Sequence, residues 1–370
     1  MNLRIPGPIP VPDDILDAMS QPMINHRGPQ FKEILYRVTD RLKQVFQTKS
    51  DVYILTSSGT GAMEAAVVNT LSPDDHVLNV SVGVFGERFG IIASTFGAKV
   101  TELRFPMGKA IEVDKLRQAL SVQPDIEAVL VTHNETSTGV TNDLAAVAQV
   151  VKGEFDKLLL VDGISSVCSL PVQTDAWQCD VIATASQKGW MLPPGLAFLS
   201  FSERAWEAHQ RAKMPRFYFD VSAYQRYLEI GQPPYTPSVS TMFALDLALG
   251  QILTEGLGSL FERHATIGQM TRDGIRGLGL DLFPDESVAS NTVTAVKVPE
   301  GVDSALLLAQ MREDHEVVLG GGQQSLNGKI FRIGHMGRCT PEDIQDVLDG
   351  LAAVLPRVGF RSATVGATGG

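Results

Sequence analysis

Short apolar runs alternate along the chain with longer segments in which apolar positions recur at helical spacing. Phe31, Ile34, Leu35, Val38, Leu42 and Val45 keep that spacing and predict a helix over 31–47. Strands are then predicted at 52–56, 76–82, 99–104, 128–132, 158–161, 181–185 and 196–200, with helices at 62–71, 86–96, 113–120 and 144–152 between them. This alternation predicts an α/β fold with a mostly parallel sheet. The strand runs are mainly apolar rather than alternating, as expected where helices cover both faces.

After a polar, aromatic-rich stretch over 213–241, helices are predicted at 242–254 and 257–278. The pattern then changes to strand 292–298, helix 304–315, strand 329–333 and helix 341–354, a smaller α+β unit. Thr340, Pro341 and Asp343 mark a helix start: an N-cap, a proline in the first turn and a carboxylate at the third position. The first 30 residues carry Pro6, Pro8, Pro10, Pro12, Pro22 and Pro29. They predict an extended arm, with one short helix at 13–19, laid on a neighbouring domain or a partner subunit. The expected organisation is an arm over 1–25, a large domain over 26–255, a small domain over 256–360 and a flexible tail over 361–370.

Composition narrows the classes. With 370 residues, 44% apolar and 20% charged, the chain suits a two-domain globular protein. The net charge of −11, without a basic block, argues against nucleic acid as a partner. Cys168, Cys179 and Cys339 show neither disulfide nor zinc spacing, so a reducing, cytoplasmic location and no metal are expected. The start, Met1–Pro8, is expected to carry no apolar core of signal-peptide length, and no apolar run approaches that of a membrane span.

In α/β sheets ligands collect beyond the carboxyl ends of strands, so the residues there carry the functional reading. Ser57-Ser58-Gly59-Thr60-Gly61 suits either a phosphate cradle or a plain helix cap. His133-Asn134-Glu135-Thr136-Ser137-Thr138-Gly139 is a polar cluster that either orients a ligand or forms a turn. Asp162 ends a buried strand and needs a partner, either a cationic ring nitrogen or the N–H groups of its own turn. Lys188, in Ser186-Gln187-Lys188-Gly189-Trp190, ends another strand. Desolvated, it is a neutral amine fit for Schiff-base chemistry; otherwise it snorkels to solvent. Arg332 stands inside an apolar strand, suited to capture of a carboxylate or to a structural ion pair.

Together with Pro6-Gly7-Pro8, His26-Arg27-Gly28, the Ser57–Ala66 segment, Glu135-Thr136-Ser137-Thr138-Gly139 and Arg332-Ile333-Gly334, this set resembles the fold-type I enzymes that use pyridoxal 5′-phosphate (PLP). Within them it is similar to the class V aminotransferases, especially the alanine/serine–glyoxylate family, from the arm to about Val358. The resemblance implies a seven-stranded sheet sandwiched by helices, a smaller C-terminal domain and a homodimer with its active site at the interface. It implies Lys188 as the Schiff-base lysine and proton carrier, and Asp162 as partner of the ring nitrogen. Ser58, Gly59, Thr60 and Gln187 are implied as phosphate contacts, joined by Thr236 from the partner subunit. Phe85 is implied as the stacking ring in place of the more usual Trp, Ser137 as a contact on the phenolic side, and Arg332 as the α-carboxylate site. The implied reaction is ping-pong transfer of an amine from alanine or serine to an oxo acid, glyoxylate.

Other readings have less behind them. Cysteine desulfurases carry a histidine before the lysine, where Gln187 stands here, and a mobile cysteine, for which Cys339 is the only small-domain candidate. Donors such as aspartate, ureidoglycine or an aminophosphonate remain alternatives, although no further arginine is clearly placed for a second acidic group. A non-catalytic protein is disfavoured by intact Lys188, Asp162 and Arg332. The Gly320–Ser325 segment is expected to be a loop facing the site, or else a surface turn.

Overall fold

The computed structural model describes residues 1–360; the expected tail over 361–370 lies outside them. The seven-stranded sheet runs, in spatial order, Val52–Ser57, Gly195–Phe201, Val181–Ala185, Leu158–Asp162, Ala128–Thr132, His76–Ser81 and Lys99–Arg104. All are parallel except Gly195–Phe201, which is antiparallel to both neighbours. Within each strand, alternate residues enter different apolar layers. Val129 and Val131 join the helices Pro29–Phe46 and Val239–Glu255 on one face. Ala128 and Leu130 join Gly59–Thr70 and Glu203–Arg211 on the other. Both faces are covered, which is why the runs read as apolar rather than alternating.

The second sheet has four strands, in the order Asn2–Arg4, Val317–Gly321, Ile330–Gly334 and Val293–Lys297. It carries its own apolar cluster, with Val296, Phe331 and Ile333 packed against Leu307, Ile344 and Leu351 of the helices Ser304–His315 and Pro341–Val354. The arm lies along this sheet. Asn2–Arg4 pairs in parallel with Val317–Leu319, and Arg4 forms a 3.0 Å ion pair with Asp343. The short helix Asp13–Met19 buries Ile15 completely.

Several elements differ from the sequence reading. Gly320 and Gly321 are not a loop but the end of strand Val317–Gly321. A side chain at Gly320 would put its Cβ 2.8 Å from Pro6 Cδ, so glycine serves the close approach of the arm. Helices Glu203–Arg211 and Val221–Glu229 lie where no helix is expected. Their apolar faces are thin, but Ser202 and Asp220 cap them through the N–H groups of Ala205 and Ser222. The helix expected over 144–152 widens into a π-helical turn at Gln149–Glu154. No helix among the described residues is long and apolar enough to cross a membrane.

The capping box expected before helix Pro341–Val354 forms: Thr340 accepts from the N–H of Asp343, and Asp343 accepts in return from that of Thr340. Thr340→Ala should therefore lower stability by about 1 kcal/mol in equilibrium urea unfolding. An unchanged midpoint would mean that this cap carries none of the stability.

Candidate active site

The pairing register sets the site. Thr132 stands opposite Asp162, and Asp162 opposite Ala183, so the loops after these strands emerge side by side. Ser57 stands opposite Gly195, which brings the Ser58 turn to the same edge. A cavity of about 250 Å³ opens there. Its wall includes Ser58, Gly59, Thr60, Phe85, Asp162, Gln187 and Lys188, seven of the expected residues, together with Gly7, Asn134, Thr136 and Arg88.

Lys188 is buried, and its Nζ donates to the carbonyl of Pro6 at 2.5 Å. Burial, with Arg332 nearby, lowers its pKa to about 8. The snorkelling reading fails, because the side chain points into the protein. Gly7 closes over it: φ is +135°, and a Cβ there would lie 2.5 Å from Nζ. The following loop is anchored by the buried Trp190, which donates to Thr184 Oγ1 at 3.2 Å and packs edge-on against Phe198.

Asp162 accepts from the N–H of Ile164 at 2.9 Å and from Thr132 Oγ1 at 3.2 Å. Burial nonetheless pushes its pKa up to about 7, and the charge of Glu135 adds to this. Its own turn thus satisfies part of the carboxylate and leaves it in need of a cation. Ser58 precedes helix Gly59–Thr70 in extended conformation, and its side chain makes no capping bond. The first-turn N–H groups at the cavity wall have no helical partners, which suits an anion. Gln187 Oε1 is buried without a hydrogen-bond partner among the described residues, so its side-chain amide has polar capacity left for a ligand.

Arg332 is buried in strand Ile330–Gly334. Its Nε donates to the carbonyl of Gly321 at 2.9 Å, and its Nη1 to that of Thr136 at 3.0 Å. Burial lowers its pKa to about 10, leaving it a cation at neutral pH. These bonds fix the guanidinium and leave its other N–H groups for a ligand. Because Thr136 is itself on the cavity wall, the strand carrying Arg332 is tied directly to the site.

Three expected residues are not on the wall: Arg332, which is tied to it through Thr136, and Ser137 and Thr236. Ser137 is fully buried and turned from the cavity; its hydroxyl donates to Glu135 at 2.6 Å, because that buried carboxylate needs donors. The adjacent Thr136 takes the wall position instead. Thr236 is exposed and does not line the cavity of its own chain. Gln323, Gln324 and Ser325 are not on the wall either; the last two lie in the short turn Gln324–Leu326. Cys339 is buried away from the cavity, and burial pushes its thiol up to about 11. Arg88 is the residue that sequence reasoning missed. It lies one helical turn after Phe85, with its guanidinium 5.0 Å from the centre of that ring. The i, i+3 spacing from the expected stacking ring was the available signal.

These features fit PLP: an uncapped helix end for the phosphate, a buried carboxylate in want of a cation and a desolvated amine. Comparison with known proteins points the same way. Residues 15–347 match the family described as Aminotransferase class-V. The chain is 40% identical to a Synechococcus sp. protein called soluble hydrogenase, small subunit, over 99% of this chain and 95% of that one. It is 38% identical to the L-aspartate–glyoxylate aminotransferase of Paracoccus denitrificans, over 91% of this chain and 86% of that one. The crystal structure of an alanine–glyoxylate aminotransferase from Nostoc sp. superposes with a TM-score of 0.92 at 31% identity, covering 96% of this chain and 95% of that one.

The two shifted groups give the cofactor-free protein a defined pH response. Asp162 binds its proton more tightly folded than unfolded. Its ionisation therefore costs stability, a cost that grows as pH rises from 3.8 and is complete above about 7. Lys188 holds its proton less tightly when folded, so its cost is present below about pH 8 and relieved as pH rises to 10.5. In thermal melts of the cofactor-free protein, Asp162→Asn should match wild type near pH 4 and exceed it by a few degrees above pH 7. A difference independent of pH would sink the assignment.

Proposed function

The chain belongs to the class V aminotransferases, whose cofactor is PLP, and we propose that it moves the amino group of a small amino acid, alanine or serine, to glyoxylate. The carrying observation is the cavity, which gathers a desolvated lysine, a carboxylate in want of a cation and an uncapped helix end, with a buried arginine tied to its wall through Thr136. That set favours the aminotransferase name of the Paracoccus relative over the hydrogenase name of the Synechococcus one.

When bound, PLP supplies an aldehyde that condenses with amines and a ring that takes up the electron pair left at the substrate's Cα. The chain's own residues do the rest. Lys188, readily neutral with a pKa of about 8, would hold the cofactor through its Nζ. Its Nζ would also be the group that takes a proton from the substrate's Cα and returns it elsewhere. Asp162 would keep the ring nitrogen protonated, and Arg332 would orient the substrate through its α-carboxylate. The N–H groups beyond Ser58 would hold the phosphate, joined by Gln187.

Thr236, exposed on its own chain, is read as a phosphate contact to the partner's site in a homodimer. The same reading divides the chain into an arm over 1–25, a cofactor domain over 26–255 and a small domain over 256–360. Two sheets with separate apolar clusters support that division. A cytoplasmic location agrees with three free, buried cysteines.

One observation favours a second reading, aspartate as donor. Arg88 is on the cavity wall and makes no ion pair or hydrogen bond among the described residues, so it is open to a second carboxylate.

Titration of the PLP-loaded protein separates these readings. L-Alanine or L-serine should replace the visible band of the lysine-bound cofactor with the near-ultraviolet band of its aminated form, and glyoxylate should restore it. If no amino acid changes the band, the proposal fails. Lys188→Ala should lose the visible band and about a thousandfold or more of kcat. Arg332→Ala should raise KM for every amino acid by about tenfold or more. If aspartate is the donor, Arg88→Gln should cut its kcat/KM about tenfold relative to alanine; an unchanged ratio removes that reading.

A further inference from the structure

Two helices begin at the cavity, Gly59–Thr70 and Val84–Thr95. Each start exposes N–H groups without helical partners and a partial positive charge. In neither does the N-cap residue, Ser58 or Gly83, supply a side-chain cap. Either end could therefore attract an anion, yet they are treated differently by the rest of the fold.

The start of Val84–Thr95 is closed by a residue from another strand. Glu135 Oε2 accepts from the N–H groups of Phe85 and Gly86, each at 3.0 Å. Its Oε1 accepts from the N–H of Ser137 at 3.1 Å and from the Ser137 hydroxyl at 2.6 Å. The Ser137 hydroxyl in turn accepts from the N–H of Val84 at 3.0 Å. Glu135 and Ser137 are both fully inaccessible, and Phe85 is half-buried. Packing leaves no room between the parts: a Cβ at Gly83 would lie 2.6 Å from Glu135 Cγ. Burial raises the pKa of Glu135, and its bonds to Ser137, Gly86 and Phe85 oppose the rise.

Phe85 is the second residue of this helix, so a clamp on its N–H fixes where its ring stands on the cavity wall. We propose that Glu135 is a positioning residue of this site: its carboxylate clamps the first turn of Val84–Thr95, holds the Phe85 ring for stacking and closes that helix end to anions, so that the cofactor phosphate is left the Ser58–Thr60 turn. The inference rests on the reading of the cavity as a PLP site. It gives Ser137 a role through Glu135 rather than through the cofactor.

The test uses the full chain and the variants Glu135→Gln and Ser137→Ala. In the cofactor-free protein, Glu135→Gln should speed amide hydrogen exchange at Phe85 and Gly86 about tenfold, with exchange in Gly59–Thr70 unchanged. With PLP as the probe, its Kd should rise about tenfold, and the circular dichroism induced in the bound chromophore should fall as the stacking ring loosens. Ser137→Ala, which keeps the carboxylate and removes one donor, should do the same to a smaller extent. Wild-type exchange at Phe85 and Gly86 in Glu135→Gln would overturn the clamp. Altered exchange with unchanged PLP affinity and dichroism would overturn its positioning role. Failure of the wild-type chain to take up PLP would sink the cavity reading, and the clamp would stand or fall on the exchange result.

Discussion

The pairing register of the seven-stranded sheet is the constraint on which the site depends. Thr132, Asp162 and Ala183 lie across one ladder, so residues far apart in the chain reach one edge together. The single reversed strand, Gly195–Phe201, returns the chain beside Ala185 and confines the loop that holds Lys188. A shift of one residue in strand Leu158–Asp162 would turn Asp162 from the cavity into a helix layer. The apolar layers forbid that shift, because Leu159 and Val161 pack on one face and Leu158 and Leu160 on the other. Stability of the core and geometry of the site are thus the same interaction seen from two sides.

Four ionisable side chains, Lys188, Asp162, Glu135 and Arg332, are buried around this edge. Each is handled differently. Glu135 spends its acceptors on a helix start and a serine. Arg332 spends two donors on carbonyls and keeps others. Lys188 has one carbonyl partner, and Asp162 has two donors and, among the described residues, no cation within bonding distance. The last two are the least satisfied, and burial brings Asp162 to about 7 and Lys188 to about 8. A ligand that offers Asp162 a cation and takes up the amine of Lys188 relieves both, so its binding also stabilises the fold.

The arm joins the two sheets. Asn2–Arg4 completes the smaller sheet, Pro6 meets Lys188, and the N–H of Ile9 donates to the carbonyl of Gln187 at 3.3 Å. A displacement of the small sheet therefore reaches the lysine through the backbone, independently of the bond between Arg332 and Thr136.

The sequence by itself determined most element types and the α/β class, and it singled out Lys188, Asp162 and Arg332 as candidates. Hydrophobic periodicity is local, and polar residues at the ends of apolar runs are legible once the runs are found. It also marked the cap of helix Pro341–Val354, since a capping box spans only one turn. The tertiary structure alone decided what depends on side-chain direction and distant partners. Within one turn it chose Thr136 over Ser137 for the cavity wall, because Glu135 needed the serine hydroxyl as a donor. It brought Glu135 to a helix start 50 residues away in the chain, a contact no local pattern announces. It made Gly320 a strand residue rather than a turn, because what the glycine accommodates is Pro6, more than three hundred positions earlier. Side-chain type and spacing are written in the chain, whereas the demand of a buried charge for donors arises only when the layers close around it.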